Sequence, residues 1–251
     1  MNTGMWQHPI SKCTTGNRLS ILICTPRLRG ERTYRCLNAL NDTTIDIDYD
    51  LIIIDNRNRA DFSHAREMNK AIRIAEGPLL VLDDDVIVSG DWLRNMLTCL
   101  GPGVGAVSCG AAASSGQLRT RGCTFRKDGE AVLWRGNIDW PVMVPATGSF
   151  CLLLNLPAWP AGLEFSREYH KYFFDPDLLL RLWEHGLSTI TVPDVIIHES
   201  GGTMRDNGID RAPLFAKDRE TFRRTWIDTG RLDALYRNYS HHWPEELRVI
   251  K

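Results

Sequence analysis

The sequence has almost no net charge and no long apolar run. Its 251 residues include 30 lysine and arginine residues against 31 aspartate and glutamate residues, a formal net charge of -1. This balance gives no general electrostatic reason for binding nucleic acid or a membrane surface. No stretch approaches the roughly 18 apolar residues of a membrane span, and residues 1–17 lack the apolar core of a signal peptide. We therefore expect a soluble, cytoplasmic protein with no transmembrane segment and no nucleic-acid partner.

Cysteine pairs at the spacing of zinc sites are also missing. The seven cysteines are odd in number and scattered, and no two stand as C-x-x-C, so neither a zinc ribbon nor a disulfide framework is predicted. Several lie inside apolar runs, where a reduced thiol behaves as a small hydrophobic group. This usage favours a reducing compartment.

Strand and helix patterns alternate through residues 18–110. Four short apolar runs predict buried strands: 19–24, 50–54, 79–82 and 104–109. The periodicity between them predicts three helices: 31–40 with Tyr34, Leu37 and Leu40 on one face, 63–76, and 91–100. No G-x-G-x-x-G or G-x-x-x-x-G-K-[ST] follows any of these strands, which argues against a dinucleotide fold and a P-loop. The order β-α-β-α-β-α-β predicts an α/β protein with a parallel sheet and right-handed crossovers.

The pattern changes after Gly110. Residues 124–126 and 131–134 flank Asp128-Gly129, which predicts a β-hairpin. Further strands are predicted at 147–154, 188–192 and 195–197, and further helices from Pro176 and over 212–226. We divide the chain into a loose arm (1–17), a first half (18–110), a second half of the same domain (111–230) and a tail (231–251).

Three carboxylates, Asp83, Asp84 and Asp85, arrive together where the third buried strand ends. Like charges this close repel each other unless a cation lies among them. Open α/β sheets place their ligands at the carboxyl ends of the strands. The cluster therefore indicates a divalent-metal site, and the alternative is a solvated strand-end turn, since aspartate favours turns.

Other polar groups also stand at the ends of predicted elements. Asp55 and Asn56 end the second strand, and His198 follows the last strand. His198 is either a metal ligand or a strand-end histidine bonded to a backbone carbonyl. Asp175 precedes Pro176, a residue that suits the first position of a helix, so Asp175 is expected to be the N-cap. Asp177 falls in the first turn, where the helix dipole favours a carboxylate.

These residues, in this order, resemble family 2 glycosyltransferases of the GT-A fold over about residues 19–202. The matching segments are Thr25-Pro26-Arg27, Asp55-Asn56, Asn69, Leu82-Asp83-Asp84-Asp85-Val86, Phe174-Asp175-Pro176-Asp177-Leu178 with Arg181, and Val192-Pro193-Asp194 with Ile197-His198. Two positions depart from the family pattern: Met68 stands where the family usually has an arginine, and Phe174 stands in place of a glutamate.

The resemblance implies a single GT-A domain with a mostly parallel central sheet, a Rossmann-like nucleotide-binding first half and a mixed-sheet acceptor half. It also implies transfer of a sugar from a nucleotide-sugar donor, UDP-linked by default, to a hydroxyl of a glycan or other acceptor, with a role in polysaccharide biosynthesis. The compact chain without a membrane anchor favours a single-linkage enzyme over a processive synthase.

The same resemblance assigns roles to individual residues. Asp175 would be the catalytic base of an inverting reaction, and Asp83, Asp85 and His198 would bind Mn2+ or Mg2+. The donor would be bound by Thr25, Pro26, Arg27, Asp55, Asn56, Asn69, Asp83, Asp84 and Gly148. Apart from the resemblance, Arg205 and Arg211, beyond the Gly201-Gly202 hinge, are candidates to close over the diphosphate as a mobile lid, and the favoured alternative is that they are solvated surface residues. The alternatives are a retaining transferase, a nucleotidyltransferase and a non-catalytic sugar-nucleotide-binding module.

Overall fold

A computed structural model describes residues 6–8, 18–56, 63–199 and 210–249 of the chain. Within these residues the strands are β1 Trp6–His8, β2 Leu19–Thr25, β3 Tyr49–Asp55, β4 Leu79–Asp83, β5 Val86–Ile87, β6 Val104–Ala112, β7 Leu118–Thr120, β8 Gly122–Phe125, β9 Ala131–Trp134, β10 Val142–Met143, β11 Cys151–Leu154 and β12 Ser188–His198. The α-helices are α1 Glu31–Thr43, α2 His64–Ile74, α3 Trp92–Thr98, α4 Phe174–Glu184, α5 Ala212–Phe222 and α6 Arg231–Tyr239. A short π-helix, Arg223–Ile227, continues directly from α5.

One mixed sheet organises the domain, with strand order β1-β3-β2-β4-β11-β6-β12-β10. β2 pairs in parallel with both β3 and β4, and β12 pairs in parallel with β6. β11 lies between β4 and β6 and is antiparallel to both. The four strands predicted in the first half therefore run in one direction, with the later strand β11 inserted among them. This arrangement confirms the predicted α/β class with a mostly parallel central sheet.

A short pairing at the carboxyl edge of the sheet brings the end of β12 to the acidic turn. β5 follows β4 after a tight turn and pairs antiparallel with β12, so that His198 lies opposite Val86 and Ile197 opposite Ile87. The amino end of β11 reaches the same edge, where Cys151 lies opposite Leu82. Chain segments far apart in sequence therefore meet where β4 ends.

β2, β4 and β6 are buried on both faces, as their apolar runs predicted. The prediction is wrong for β3, in which only Ile52 is buried. Along β4, Leu79 and Val81 belong to the cluster beneath α2 and α4, whereas Leu80 and Leu82 belong to the cluster beneath α1 and α3. This alternation follows from the two-residue period of a strand. Both clusters are continuous over several strands, so the strand ends are held by packing on both sides.

Several local predictions are confirmed. Ser63 is the N-cap of α2, and its side chain accepts a hydrogen bond from the N–H of Arg66 at 3.4 Å. β8 and β9 form the predicted hairpin, in which Gly129 has a φ of +84°, a value that favours glycine. The six cysteines within the described residues are free thiols.

Other local predictions are wrong. Of the three residues predicted on the buried face of α1, Leu40 is buried and Leu37 packs against the core, but Tyr34 is 65% exposed. Thr33 and Cys36 are buried in its place, because they bond to Asp84 and to the carbonyl of Asp83. Trp6–His8, within the expected loose arm, forms a strand paired with β3. The segments 188–192 and 195–197 are one strand with an irregular register, since β12 continues along β6 across it. No helix in the described part of the chain is long and apolar enough to span a membrane.

Candidate metal and catalytic site

Asp83, Asp85 and His198 converge at the carboxyl edge of the sheet. His198 Nε2 lies 3.5 Å from Asp83 Oδ2 and 3.3 Å from Asp85 Oδ1. One potential ligand atom from each residue falls within 4.8 Å of the others. The three side chains are partly buried and remain open to solvent. This is the group that the sequence assigned to a metal ion, and the structure brings all three together.

Backbone hydrogen bonds from two strands hold the acidic turn in place. The N–H of Asp83 donates to the carbonyl of Phe150 at 2.9 Å, and the N–H of Glu199 donates to the carbonyl of Asp85 at 3.0 Å. The ring of Phe150 also stacks on His198, with 5.2 Å between ring centroids. The turn and the histidine are therefore positioned by the neighbouring ends of β11 and β12.

Asp84, the middle residue of the turn, bonds to the scaffold. Its Oδ2 accepts hydrogen bonds from the hydroxyl of Thr25 at 2.7 Å and from the hydroxyl of Thr33 at 3.1 Å. Both threonines are buried, at the end of β2 and in α1. Asp84 thus ties the acidic turn to two neighbouring elements, and its predicted contact with the donor remains a prediction.

The charge of Asp83 is unfavourable without a cation, whereas Asp85 and His198 favour each other's charged form. Burial alone would raise the pKa of Asp85, but the hydrogen bond with His198 and its charge lower it. Burial, with the nearby charge of Asp85, raises the pKa of Asp83 to about 7, although His198 opposes the change. Burial alone would lower the pKa of His198, but the hydrogen bond with Asp85 and the charge of Asp83 raise it. Two carboxylates and an imidazole form a donor set that suits a divalent cation such as Mn2+, with the remaining positions left to water or phosphate oxygens. The residues present therefore fit the predicted metal.

Asp175 lies in the first turn of α4 and does not cap it. The N-cap is Phe173, in the left-handed region with a φ of 64°, so the predicted N-cap role of Asp175 is wrong. Its Oδ2 instead accepts a hydrogen bond from the N–H of Ser149 at 2.9 Å. Burial raises the pKa of Asp175 to about 6, against the opposing effect of the hydrogen bonds from Ser149. Since Phe150 contacts the metal group, residues 149 and 150 connect Asp175 to it directly.

Asp177, two residues further along α4, is buried and bonded to side chains of the core. It is 2% exposed, and it accepts hydrogen bonds from Arg181 Nε and from Trp226 Nε1, each at 2.9 Å. The hydroxyl of Tyr169 donates to the same carboxylate at 3.3 Å. Asp175 and Asp177 therefore lie in the same helical turn, but Asp177 is held by side chains of the core, whereas Asp175 bonds to Ser149, next to Phe150.

The predicted donor-binding residues fall into two groups. Thr25 and Asp55 lie opposite each other at the ends of β2 and β3, and the N–H of Asn56 donates to the carbonyl of Thr25 at 2.8 Å. Pro26 and Arg27 follow directly, so this set lines one end of the carboxyl edge.

Asn69 and Gly148 have different surroundings. Asn69 is fully buried, and its amide group exchanges two hydrogen bonds of 2.8 Å with the backbone of Phe165, which leaves no side-chain atom facing a donor. The predicted contact of Asn69 is thus replaced by a structural one. At Gly148 a Cβ would come within 2.9 Å of Phe150 Cδ1 and 3.6 Å of Asp175 Oδ2, so glycine allows these side chains to approach. Gly201, Gly202 and Arg205 lie outside the described residues.

Two residues that fix or belong to the loop before α4 were not found from the sequence. Lys171 lies in an aromatic-rich segment before α4, and Asp218 lies in the charged helix α5. Asp218 is fully buried, although a charged residue of an amphipathic helix is ordinarily exposed. No local signal in the sequence distinguishes either residue from its solvated neighbours.

Comparison with known proteins shows the fold. No protein-family model and no curated protein matches the chain by sequence. Residues 1–349 of S. aureus TarS match with a TM-score of 0.53 and 11% identity, over 92% of this chain and 82% of that one. GalNAc-T7, solved with UDP, GalNAc and Mn2+, matches with a TM-score of 0.50 and 11% identity, over 73% of this chain and 44% of that one. The chain therefore spans less than half of GalNAc-T7 and has the α/β fold of GT-A glycosyltransferases.

Proposed function

We propose that the protein is a metal-dependent, inverting glycosyltransferase of family 2. It would transfer a sugar from a nucleoside diphosphate sugar, with UDP as the default carrier, to a hydroxyl of a glycan or another acceptor. The observation that carries the proposal is the convergence of Asp83, Asp85 and His198 at the ligand-binding edge of a GT-A sheet. Asp175 is linked to this group through Ser149, which bonds to it, and the adjacent Phe150, whose ring stacks on His198. The resemblance of GalNAc-T7, whose complex holds UDP and Mn2+, supports the same reading.

Asp83, Asp85 and His198 would hold the divalent cation, Mn2+ or Mg2+. A bound cation neutralises the negative charge that develops on a diphosphate as it leaves the sugar. The chain's own contribution is to hold these ligands in place through the backbone bonds of Asp83 and Asp85 and the stacked ring of Phe150. A fixed ligand set costs little reorganisation during the reaction.

Asp175 would accept the proton of the acceptor hydroxyl as that oxygen attacks the anomeric carbon. A general base works best with a pKa near the operating pH, and the pKa of about 6 for Asp175 meets this condition. The hydrogen bond from the N–H of Ser149 fixes one carboxylate oxygen.

Three alternative functions can be distinguished from the proposed one. A retaining transferase would give a product with the donor's anomeric configuration, which product analysis by NMR would reveal. The chain has no glycine-rich loop after the first strand, which argues against a nucleotidyltransferase. A non-catalytic binding module would leave a bound donor intact, whereas a transferase slowly hydrolyses its donor when no acceptor is present.

The test is calorimetric titration of UDP, GDP and dTDP in the presence and absence of Mn2+. We expect Mn2+-dependent binding of at least one diphosphate, and its loss in Asp85→Ala. Asp128→Ala is the matched control, because Asp128 lies in the exposed hairpin turn, where its carboxylate is 58% exposed. Metal-independent binding, or unchanged binding in Asp85→Ala, would overturn the proposal.

A further inference from the structure

The strand that ends in His198 contains a bulge. β12 pairs in parallel with β6, and Thr191 lies opposite Ser108 whereas Val195 lies opposite Gly110. From 191 to 195 the chain of β12 advances four residues, and from 108 to 110 the chain of β6 advances two. β12 therefore carries extra residues at 192–194, which we call the β12 bulge.

This bulge decides which way His198 points. After it, residues 195–197 pair again with β6, and the last two residues of β12 pair with β5. Because side chains alternate along a strand, a register shift of one residue moves every side chain to the opposite face of the sheet. His198 therefore reaches Asp83 and Asp85 in the register that the bulge creates.

A buried arginine holds the bulge. Arg121 Nη1 donates hydrogen bonds to the carbonyl of Val192 at 3.0 Å and to the carbonyl of Asp194 at 3.3 Å. Pro193, between them, has no N–H to donate to a strand ladder, which suits a bulge. The Arg121 side chain is 6% exposed, and its Nε has no hydrogen-bond partner among the described residues. A buried charge with an unsatisfied donor is a poor source of stability, so a role in positioning β12 accounts for it better.

Two neighbouring residues support this arrangement. Arg119 Nη1 donates to the carbonyl of His198 itself at 3.3 Å. At Gly110 a Cβ would lie 3.0 Å from Arg121 Nη1 and 3.1 Å from Arg121 Cγ, so glycine leaves the space that the arginine fills. The two arginines thus bond to backbone carbonyls of β12 both at the bulge and at the proposed metal ligand.

We propose that Arg121 is a positioning residue for the metal ligand His198 and acts through the β12 bulge, with Arg119 fixing the backbone of His198. The inference rests on the proposed function, since it takes His198 as a ligand of the divalent cation. Residues that orient a metal ligand from behind contribute to metal affinity without touching the ion.

The test compares the wild type with Arg121→Met, which keeps an unbranched apolar side chain and removes the donors. Calorimetry with Mn2+ alone should show binding that is about tenfold or more weaker. Electron spin echo spectroscopy at saturating Mn2+ detects an imidazole nitrogen bound to the ion, and His198→Ala supplies the spectrum without it. The nitrogen signal of Arg121→Met should fall towards that reference. Arg121→Lys, which keeps a donor for the same carbonyls, should restore part of the affinity and part of the signal.

Arg126→Met is the matched control, because Arg126 lies in the nearby hairpin, where its side chain is 55% exposed and pairs with Glu130. It should leave the affinity and the nitrogen signal unchanged. Should Arg121→Met not fold, Gly110→Ala displaces the guanidinium without removing its charge, and the same decreases are expected.

Two results would overturn the inference and leave the proposed function intact. One is wild-type Mn2+ affinity in Arg121→Met. The other is weaker binding with a full nitrogen signal, because Arg121 would then support the fold without orienting His198. Absence of Mn2+ binding in the wild type would overturn both the inference and the proposed function.

Discussion

Replacing Asp175 by asparagine removes a negative charge from a partly enclosed position and keeps the shape of the side chain. The amide oxygen can still accept the hydrogen bond from the N–H of Ser149, which joins the two residues at 2.9 Å in the wild type. The substitution therefore separates the charge of Asp175 from its packing. We expect two results in the same protein: higher stability near pH 8 and loss of sugar transfer.

The size of the stability gain follows from the pKa of Asp175. Burial raises this pKa from 3.8 to about 6. One pKa unit corresponds to about 1.4 kcal/mol, so holding the ionised form costs about 3 kcal/mol at most. Because the carboxylate is only partly buried, solvent screening reduces this cost, and we expect a gain of about 1–2 kcal/mol. For a chain of this length that gain corresponds to a Tm increase of roughly 2–8 °C.

The sign depends on pH. A group whose pKa is raised in the folded state stabilises the protein below its unfolded pKa and loses this contribution as the pH rises through the folded pKa. Wild-type Asp175 therefore costs stability above about pH 6, and the cost disappears towards pH 3.8. The advantage of Asp175→Asn should be full at pH 8 and shrink between pH 6 and pH 4. Wild-type transfer activity should fall as the pH drops through about 6, since the base becomes protonated.

Urea unfolding at pH 8 and at pH 4.5 measures the stability difference, and release of nucleoside diphosphate from the donor measures transfer. Asp177→Asn is the matched control in the same helical turn. It breaks a buried pair with Arg181 and should destabilise the protein by about 3 kcal/mol. Full activity in Asp175→Asn would end the assignment of the base. A loss of stability at pH 8 would refute the argument from burial.

Two further predictions concern Asp218 and Gly148. Asp218→Asn replaces one acceptor oxygen by an NH2 group, which cannot accept hydrogen bonds from the backbone N–H groups of the loop before α4. It should lower the free energy of unfolding, measured in urea, by about 1–3 kcal/mol. An unchanged value would show that the loop does not depend on Asp218. Gly148→Ala places a Cβ within 2.9 Å of the ring of Phe150, which stacks on His198. The displaced ring should weaken Mn2+ binding severalfold, as measured by calorimetry. Wild-type affinity for Mn2+ would contradict this coupling.

Short-range patterns predicted the elements well. The apolar run before Asp83 is a strand buried on both faces, Ser63 begins α2, and Asp128-Gly129 turns the hairpin. Such features depend on residues within a few positions of each other, so they can be read along the chain. The chemistry of the site is also largely local, since a carboxylate cluster at a strand end restricts its ligands to cations.

Predictions from neighbouring residues failed where a residue distant in sequence formed a hydrogen bond with the side chain concerned. Asp175 precedes a proline, which predicts an N-cap, but the N–H of Ser149 takes its carboxylate and Phe173 becomes the cap. On α1, Leu40 is buried as predicted, but Thr33 and Cys36, which bond to Asp84 and to the carbonyl of Asp83, are buried where Tyr34 was expected. In both cases a tertiary hydrogen bond outweighs a preference of a few tenths to about 1 kcal/mol.

By itself, the sequence determined the α/β class, the acidic turn and the residue types that can hold a divalent cation, because these follow from periodicity and from the chemistry of neighbouring side chains. Only the tertiary structure decided that β11 enters the sheet beside β4, that β5 brings His198 to Asp83 and Asp85, and that Asp218 holds the loop before α4 through three backbone hydrogen bonds. These contacts join residues many positions apart, and their free energy comes from strand pairing and burial across the whole domain, which no local pattern encodes.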